Sequence, residues 1–508
     1  MTVWLDGPGV TVADVVAVAR DRVRVELTEA AIERMRASRK IVEQLAEGEP
    51  KYGISTGFGA LATVSIPGDR RRALQVALVR SHAAGMGRAV EDDVVRAMLL
   101  LRARTLALGA SGARPLVARA MVDLLNAKIS PVVPEHGSLG ASGDLAPLAH
   151  GALALLGEGE VDHDGRRRPA GDALRDAGLE PIVLAEKEGL AVTNGTDATL
   201  GMLCLAVDDC RRLLTQADII CAMTVEGLLA TDAAFAADLQ ALRPHPGQAA
   251  SAANLRTMLA GSKIVASHAT DDPRVQDAYS IRCAPAVHGA ARDTLDHARR
   301  VAEIELASAI DNPMVLPDGR IESCGNFHGA PLGLAADFLA IAVAEVGAIA
   351  ERRMDRLLDQ ARSAGLPPFL AHEVGVDSGL MLGHYTAAAM ASENKRLAVP
   401  ASVDSLPTSG MQEDHVSMAW AAARKLRTVI GNVRRILAIE YVVAARALDL
   451  RQPIEPAAAT EALLGLLRGE VSGPGPDRVL SPELQAAEQL LVTDRPAATL
   501  AEAGFTLV

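Results

Sequence analysis

Four long stretches rich in Ala and Leu, Leu200 to Thr231, Ala286 to Ser308, Gly333 to Arg362 and Ser417 to Arg446, carry almost no turn signal. Several are apolar around most of their circumference, and a helix of that kind has to be buried at the centre of a large bundle or an oligomer. Aromatic residues make up only 2% of the 508, so Ala, Leu, Val and Ile must build the core, which favours closely packed helices. The predicted fold is mainly α: a long central helix bundle with a smaller mixed N-terminal region. The expected divisions are 1–115 for the mixed region, 116–450 for the bundle and 451–508 for a peripheral helical cap, all in one continuous catalytic unit.

The N-terminal region mixes strand and helix. Arg22 to Leu27 alternates with period two, as a half-buried strand does. Thr28 can then cap a helix with Ile32, Met35, Val42 and Leu45 on one face, stopped by Gly48 and Pro50. From Arg70 to Lys128 the pattern is helical again, broken near Gly109 to Pro115. Asp162-His163-Asp164-Gly165 and Pro317-Asp318-Gly319 predict small hairpins.

Composition and charge remove several classes of function. The 51 Lys plus Arg against 63 Asp plus Glu leave a net charge of −12, which argues against nucleic acid or an anionic membrane as partner. The five cysteines show no C-x-x-C pair, none of the twelve His joins a His-x-x-x-His, and no metal site is expected. No glycine loop matches a P-loop or dinucleotide fingerprint. The apolar stretch Phe338 to Ala350 carries Glu345 and is too short to span a bilayer. Met1 to Asp6 has no basic segment followed by an apolar one, so no signal peptide is expected and the chain reads as cytoplasmic.

Polar and glycine-rich islands interrupt the helical background, and Tyr52 and Tyr279, two of only four tyrosines, lie in such islands. Another island is Gly137-Ser138-Leu139-Gly140-Ala141-Ser142-Gly143-Asp144-Leu145-Ala146-Pro147. Its bland reading is a small-residue loop in which Asp144 or Ser142 caps a helix with Pro147 in the first turn. The string nevertheless resembles the signature of the histidine and phenylalanine ammonia-lyase family. Tyr52 to Gly59, Asn194-Gly195-Thr196, Gln276 to Cys283, Gly325-Asn326-Phe327-His328-Gly329 and Gln412 to Met418 match further family motifs in the same order.

That resemblance implies an ammonia-lyase or fumarase-like helical architecture and a prosthetic group made from the chain itself. The family's Ala-Ser-Gly tripeptide, here Ala141, Ser142 and Gly143, cyclises to 4-methylideneimidazole-5-one (MIO), with no external cofactor. The Gly143 nitrogen must reach the Ala141 carbonyl carbon, which demands a strained turn with small side chains. A helix N-terminus near Asp144 would point positive dipole at the ring.

The resemblance also implies roles: Tyr279 as base, Tyr52 assisting proton movement, Arg282 pairing with the substrate carboxylate, and Asn194 and Gln276 supplying hydrogen bonds. Phe327 and Met381 complete the substrate-binding set. Ser81-His82 and Gln412-Glu413 are similar to the family's histidine-type members, so His82 and Glu413 are expected on the substrate imidazole, with Glu413 also able to move protons. The implied activity is elimination of ammonia from L-histidine to give urocanate. The implied assembly is a homotetramer with shared active sites. Elimination or 2,3-amino migration on tyrosine, phenylalanine or a modified histidine is the alternative, and a catalytically silent helical scaffold the non-enzyme one. Thr193, Asp197, Ala284, Ala286, Gly410-Met411 and Cys324 depart from the usual motif neighbours. His328 and His415 are expected to be structural hydrogen-bonders.

Overall fold

The computed structural model describes residues 1–45, 56–57, 63–270 and 272–508. Tyr52 and most of its glycine-rich loop lie outside the described residues. The protein is mainly α, and the four long stretches are the helices Asp197–Gly227, Ala284–Ala307, Ala330–Leu358 and Ala419–Leu450. Their ends differ from the sequence reading by a few residues. The third begins earlier, at Ala330-Pro331, because proline is tolerated in the first turn, where its missing N–H had no partner anyway. By length and composition this 29-residue helix could cross a membrane, so the apolar run read from the sequence was only part of it; 61% of its most apolar window is buried inside the protein.

Two compact units are built from these helices. The first comprises Met1–Asp208, Ala298–Asp337 and Pro400–Arg424, and the second Asp209–His297, Phe338–Val399 and Lys425–Val508. All strands among the described residues belong to the first unit. Arg24–Leu27 pairs in parallel with Thr2–Leu5. Thr28 Oγ1 then accepts the Ala31 N–H at 3.2 Å, opening the helix Glu29–Leu45 with Ile32, Met35 and Val42 buried beneath it. The hairpin at Asp162 to Gly165 forms with Asp164 and Gly165 both at positive φ (50° and 73°), the geometry that matches the twist of the flanking strands. The strand Met86–Ala89 was not anticipated: all four residues are exposed, so no alternating pattern marks it.

The second unit has helices and no strand among its described residues, and its core is less oily than its sequence suggests. Arg353 and Glu440, both at 0% exposure, meet through Nε–Oε1 at 2.5 Å, and Glu440 Oε1 also accepts the Thr224 hydroxyl. His288 is buried against Asp218 at 2.8 Å. Burial holds the His288 ring below its ordinary pKa, with Asp218 opposing. Cys204, Cys210 and Cys221 are fully buried packing residues.

Candidate active site

The tripeptide Ala141-Ser142-Gly143 sits at the start of the helix Leu145–Leu155 in the first unit. Gly143 has φ +72°, a left-handed conformation that favours glycine. A Cβ added there would lie 2.2 Å from the Gly195 carbonyl oxygen, so space as well as conformation demands glycine. Gly143 and Gly195 form an isolated bridge, and the Asp144 N–H donates to the Gly195 oxygen at 2.7 Å. The other side of the loop is held by the Met418 N–H on the Leu139 oxygen (2.9 Å) and the Ser417 hydroxyl on the Gly140 oxygen (3.1 Å). Two of the sequence motifs therefore pin a third.

Asp144 stands at the N-cap position of Leu145–Leu155, yet neither it nor Ser142 caps that helix by its side chain. The carboxylate instead reaches the first turn of Asp197–Gly227, accepting from the Thr199 N–H and the Thr199 hydroxyl, both at 2.8 Å. It is buried, and desolvation pushes its pKa up to about 6 against the opposing hydrogen bonds from Thr199. The N-termini of both helices thus open beside the tripeptide, placing partial positive charge there.

The Asn194-Gly195-Thr196 segment is clamped by two buried ion pairs that the sequence reading missed. Arg102 Nη1 donates to the Asn194 oxygen and to Asp197 Oδ2, both at 2.9 Å, with the two side chains at 0% and 3% exposure. Asp197, one of the departures from the family pattern, earns its place here; its other oxygen takes the Thr105 hydroxyl at 2.9 Å. Thr193, another departure, satisfies its hydroxyl on the Gly189 oxygen at 2.9 Å. Lys187 Nζ meets Asp311 Oδ2 at 2.8 Å.

A cavity of about 460 Å³ in the first unit is lined by Ala141, Ser142, Phe327 and Glu413, bringing together four of the expected site residues. That volume falls in the range of small-molecule sites. Glu413 is half-buried and accepts the Thr408 hydroxyl at 2.9 Å. His82 ends the helix Arg71–His82, with Nδ1 3.1 Å from the Ser81 hydroxyl. Burial lowers the His82 pKa, while a backbone hydrogen bond at Leu78 and the charge of Glu413 oppose it, so His82 lies within electrostatic reach of Glu413. Cys324, another departure, lines the same cavity, with its thiol 3.5 Å from the Asp311 oxygen and its N–H bound to Asn312 Oδ1 at 2.8 Å. His328 and His415 also line it, stacked at 5.6 Å with their planes 5° apart. His328 Nδ1 accepts the Ala330 N–H at 3.4 Å, so both rings form cavity wall.

Gln276, Tyr279, Arg282 and Met381 belong to the second unit. Tyr279 begins the short helix Tyr279–Arg282 and is 71% exposed, with the Arg282 guanidinium 4.5 Å from its ring centroid. Arg282 Nε is tied to the Asp277 oxygen at 3.0 Å, and Asp277 accepts the Thr231 N–H at 2.9 Å, which fixes the base of this segment. Gln276 is exposed, and Met381 is half-buried at the start of the helix Met381–Leu397.

Known proteins are similar to this chain over nearly all of its length. The sequence profile of the family described as aromatic amino acid lyase matches residues 10–469. A histidine ammonia-lyase of Streptomyces avermitilis is 59% identical over 504 residues, covering 99% of this chain and 98% of its own. The crystal structure of histidine ammonia-lyase from Trypanosoma cruzi is similar at a TM-score of 0.91 and 38% identity, covering 99% of this chain and 95% of that one. Tyrosine aminomutase from Streptomyces globisporus is similar at a TM-score of 0.93 and 37% identity, covering 99% of both chains. With an Ala-Ser-Gly tripeptide at a cavity wall and a family match over nine-tenths of its length, the chain belongs to the aromatic amino acid lyase family.

Proposed function

We propose that the protein is a histidine ammonia-lyase, a carbon–nitrogen lyase that converts L-histidine to urocanate and ammonia using an MIO ring formed from Ala141, Ser142 and Gly143. The observation that carries the reading is the shared cavity of Ser142 and Glu413, with His82 in reach of the Glu413 charge. The 59% identical relative bears the same activity in its name. Similarity in shape extends almost equally to a tyrosine aminomutase, so shape alone does not choose between elimination and migration.

The residues present fit the ring. Gly143 leaves no room for a side chain, and the buried Asn194 Oδ1 and Thr196 Oγ1 have no hydrogen-bond partner among the described residues. The ring, once formed, supplies an electrophilic carbon that turns the substrate's amine into a good leaving group. What remains is removal of a weakly acidic β-proton, the work of Tyr279 as base, with Tyr52 assisting. Arg282 pairs with the substrate carboxylate, where a planar guanidinium can donate twice. Gln276 and Asn194 add hydrogen bonds, while Phe327 and Met381 supply apolar contact. His82 and the Glu413 carboxylate give the substrate imidazole polar partners that a benzene ring could not use.

The protein works in the cytoplasm as a homotetramer with active sites shared between subunits. Supporting this, the helix Ala330–Leu358 exposes Leu334, Phe338 and Ile341 (58%, 51% and 41%), spaced to lie on one face. Tyr279, so exposed in a single chain, would then be covered on assembly.

The substrate assignment is tested by kcat/KM for L-histidine, L-tyrosine and L-phenylalanine with the wild type and His82→Ala. Histidine should be the best substrate, and the substitution should cost histidine roughly 10–100-fold, because it strands a polar ring edge in a desolvated pocket. Equal losses on histidine and tyrosine would mean that His82 does not read the side chain.

A further inference from the structure

Asn194 is tied into the molecule in an unusual way. Its side-chain nitrogen donates to the Asn312 carbonyl oxygen at 2.8 Å and to Asp311 Oδ1 at 3.4 Å. Asp311 Oδ2 takes Lys187 Nζ at 2.8 Å, and both side chains are shut off from solvent, at 0% and 1% exposure. Lys187 immediately precedes the short helix Glu188–Thr193, and Asn194 immediately follows it. One carboxylate therefore staples both ends of a six-residue helix. Lys187 also adopts φ 72°, a conformation that side chains with a Cβ take up at a cost.

Stability is a poor explanation for such an arrangement. A fully buried ion pair contributes no more than apolar residues of the same volume, and often less. What the staple does is geometric. It commits the Asn194 nitrogen to Asp311 and Asn312 and leaves Oδ1 without a partner among the described residues. It also fixes the residue before Gly195, the surface on which Gly143 rests. Asp311 Oδ1 further accepts the Asn312 N–H at 2.7 Å, and Asn312 lines the cavity.

We infer that Lys187 and Asp311 are positioning residues for closure of the Ala141-Ser142-Gly143 ring, acting through Asn194 and Gly195. The inference rests on the proposed MIO ring. Closure forms a bond from the Gly143 nitrogen to the Ala141 carbonyl carbon, and the amide proton of Gly143 goes to the carbonyl oxygen. That hydroxyl leaves with the Ser142 amide proton as one water, and Ser142 Oγ leaves with the Ser142 α-proton as a second. No oxidant or co-reactant is needed; correct placement of Gly143 against Ala141 is the whole requirement.

The test is the intact mass and near-ultraviolet absorption, followed in time after folding, of the wild type, of Lys187→Met combined with Asp311→Leu, and of Asp311→Asn. The first variant removes both charges together, so no ion is stranded. The second keeps an oxygen for Lys187 but turns an N–H towards the Asn194 nitrogen. Both should keep the helical circular dichroism of the wild type and lose the two waters about 10²-fold more slowly, the cost of misplacing a reacting group by about 1 Å. If the double variant fails to fold, Asp311→Asn alone decides. Maturation of Asp311→Asn at the wild-type rate overturns the inference and leaves the ring reading standing. A wild type at its full, unmodified mass overturns both.

Discussion

Ser142→Ala folds to the same helical protein, never loses both waters, and loses turnover of histidine by about 10³-fold or more, the scale on which removal of a covalent catalyst is felt. Without the Ser142 hydroxyl the second water cannot leave, so no methylidene forms. Folding is spared because Ser142 is half-buried at the cavity wall, while the loop is held by Gly143, Asp144 and Ser417. The near-ultraviolet band of the ring should vanish with the activity. Wild-type-like turnover in this variant would mean that the chemistry does not depend on the ring.

Tyr279→Phe separates the proposed base from the proposed electrophile. It removes one oxygen from an exposed ring beside Arg282, leaving the Asp277 and Thr231 contacts of the segment in place. The variant should be two waters lighter than its sequence, like the wild type, with kcat lowered by roughly 10²–10⁴-fold, the weight of positioned acid–base catalysis. Because the ring and the Arg282 carboxylate partner survive, KM should change far less than kcat. A kcat close to that of the wild type would hand the role of base to Tyr52 or Glu413.

How far the site can be read from the sequence follows from how each part is encoded. Ala141-Ser142-Gly143 is legible only through the family motifs that surround it in the chain, because three small residues taken alone read as an ordinary loop. The long helices are legible because an all-round apolar pattern has few alternatives, and the hairpin at Asp164-Gly165 because a two-residue turn demands positive φ. The ion pairs beneath the tripeptide are not. Arg102 and Asp197 lie 95 residues apart and Lys187 and Asp311 lie 124 apart, and a charge destined for burial looks the same in sequence as one destined for water. Asp197 was visible only as a departure from a family pattern, and its reason appeared once Arg102 and Thr105 were beside it. The role of Asp144 was half legible: its place at a helix start was anticipated, its bond to a different helix was not.

The most direct test of the account is to dialyse the purified protein against a chelator, add L-histidine and nothing else, and quantify urocanate and ammonia together. The account predicts both in equal amounts, at a rate unchanged by the dialysis and without any β-amino acid product. Appearance of the β-amino acid in place of free ammonia, or no turnover of histidine by a protein carrying the ring, would contradict it.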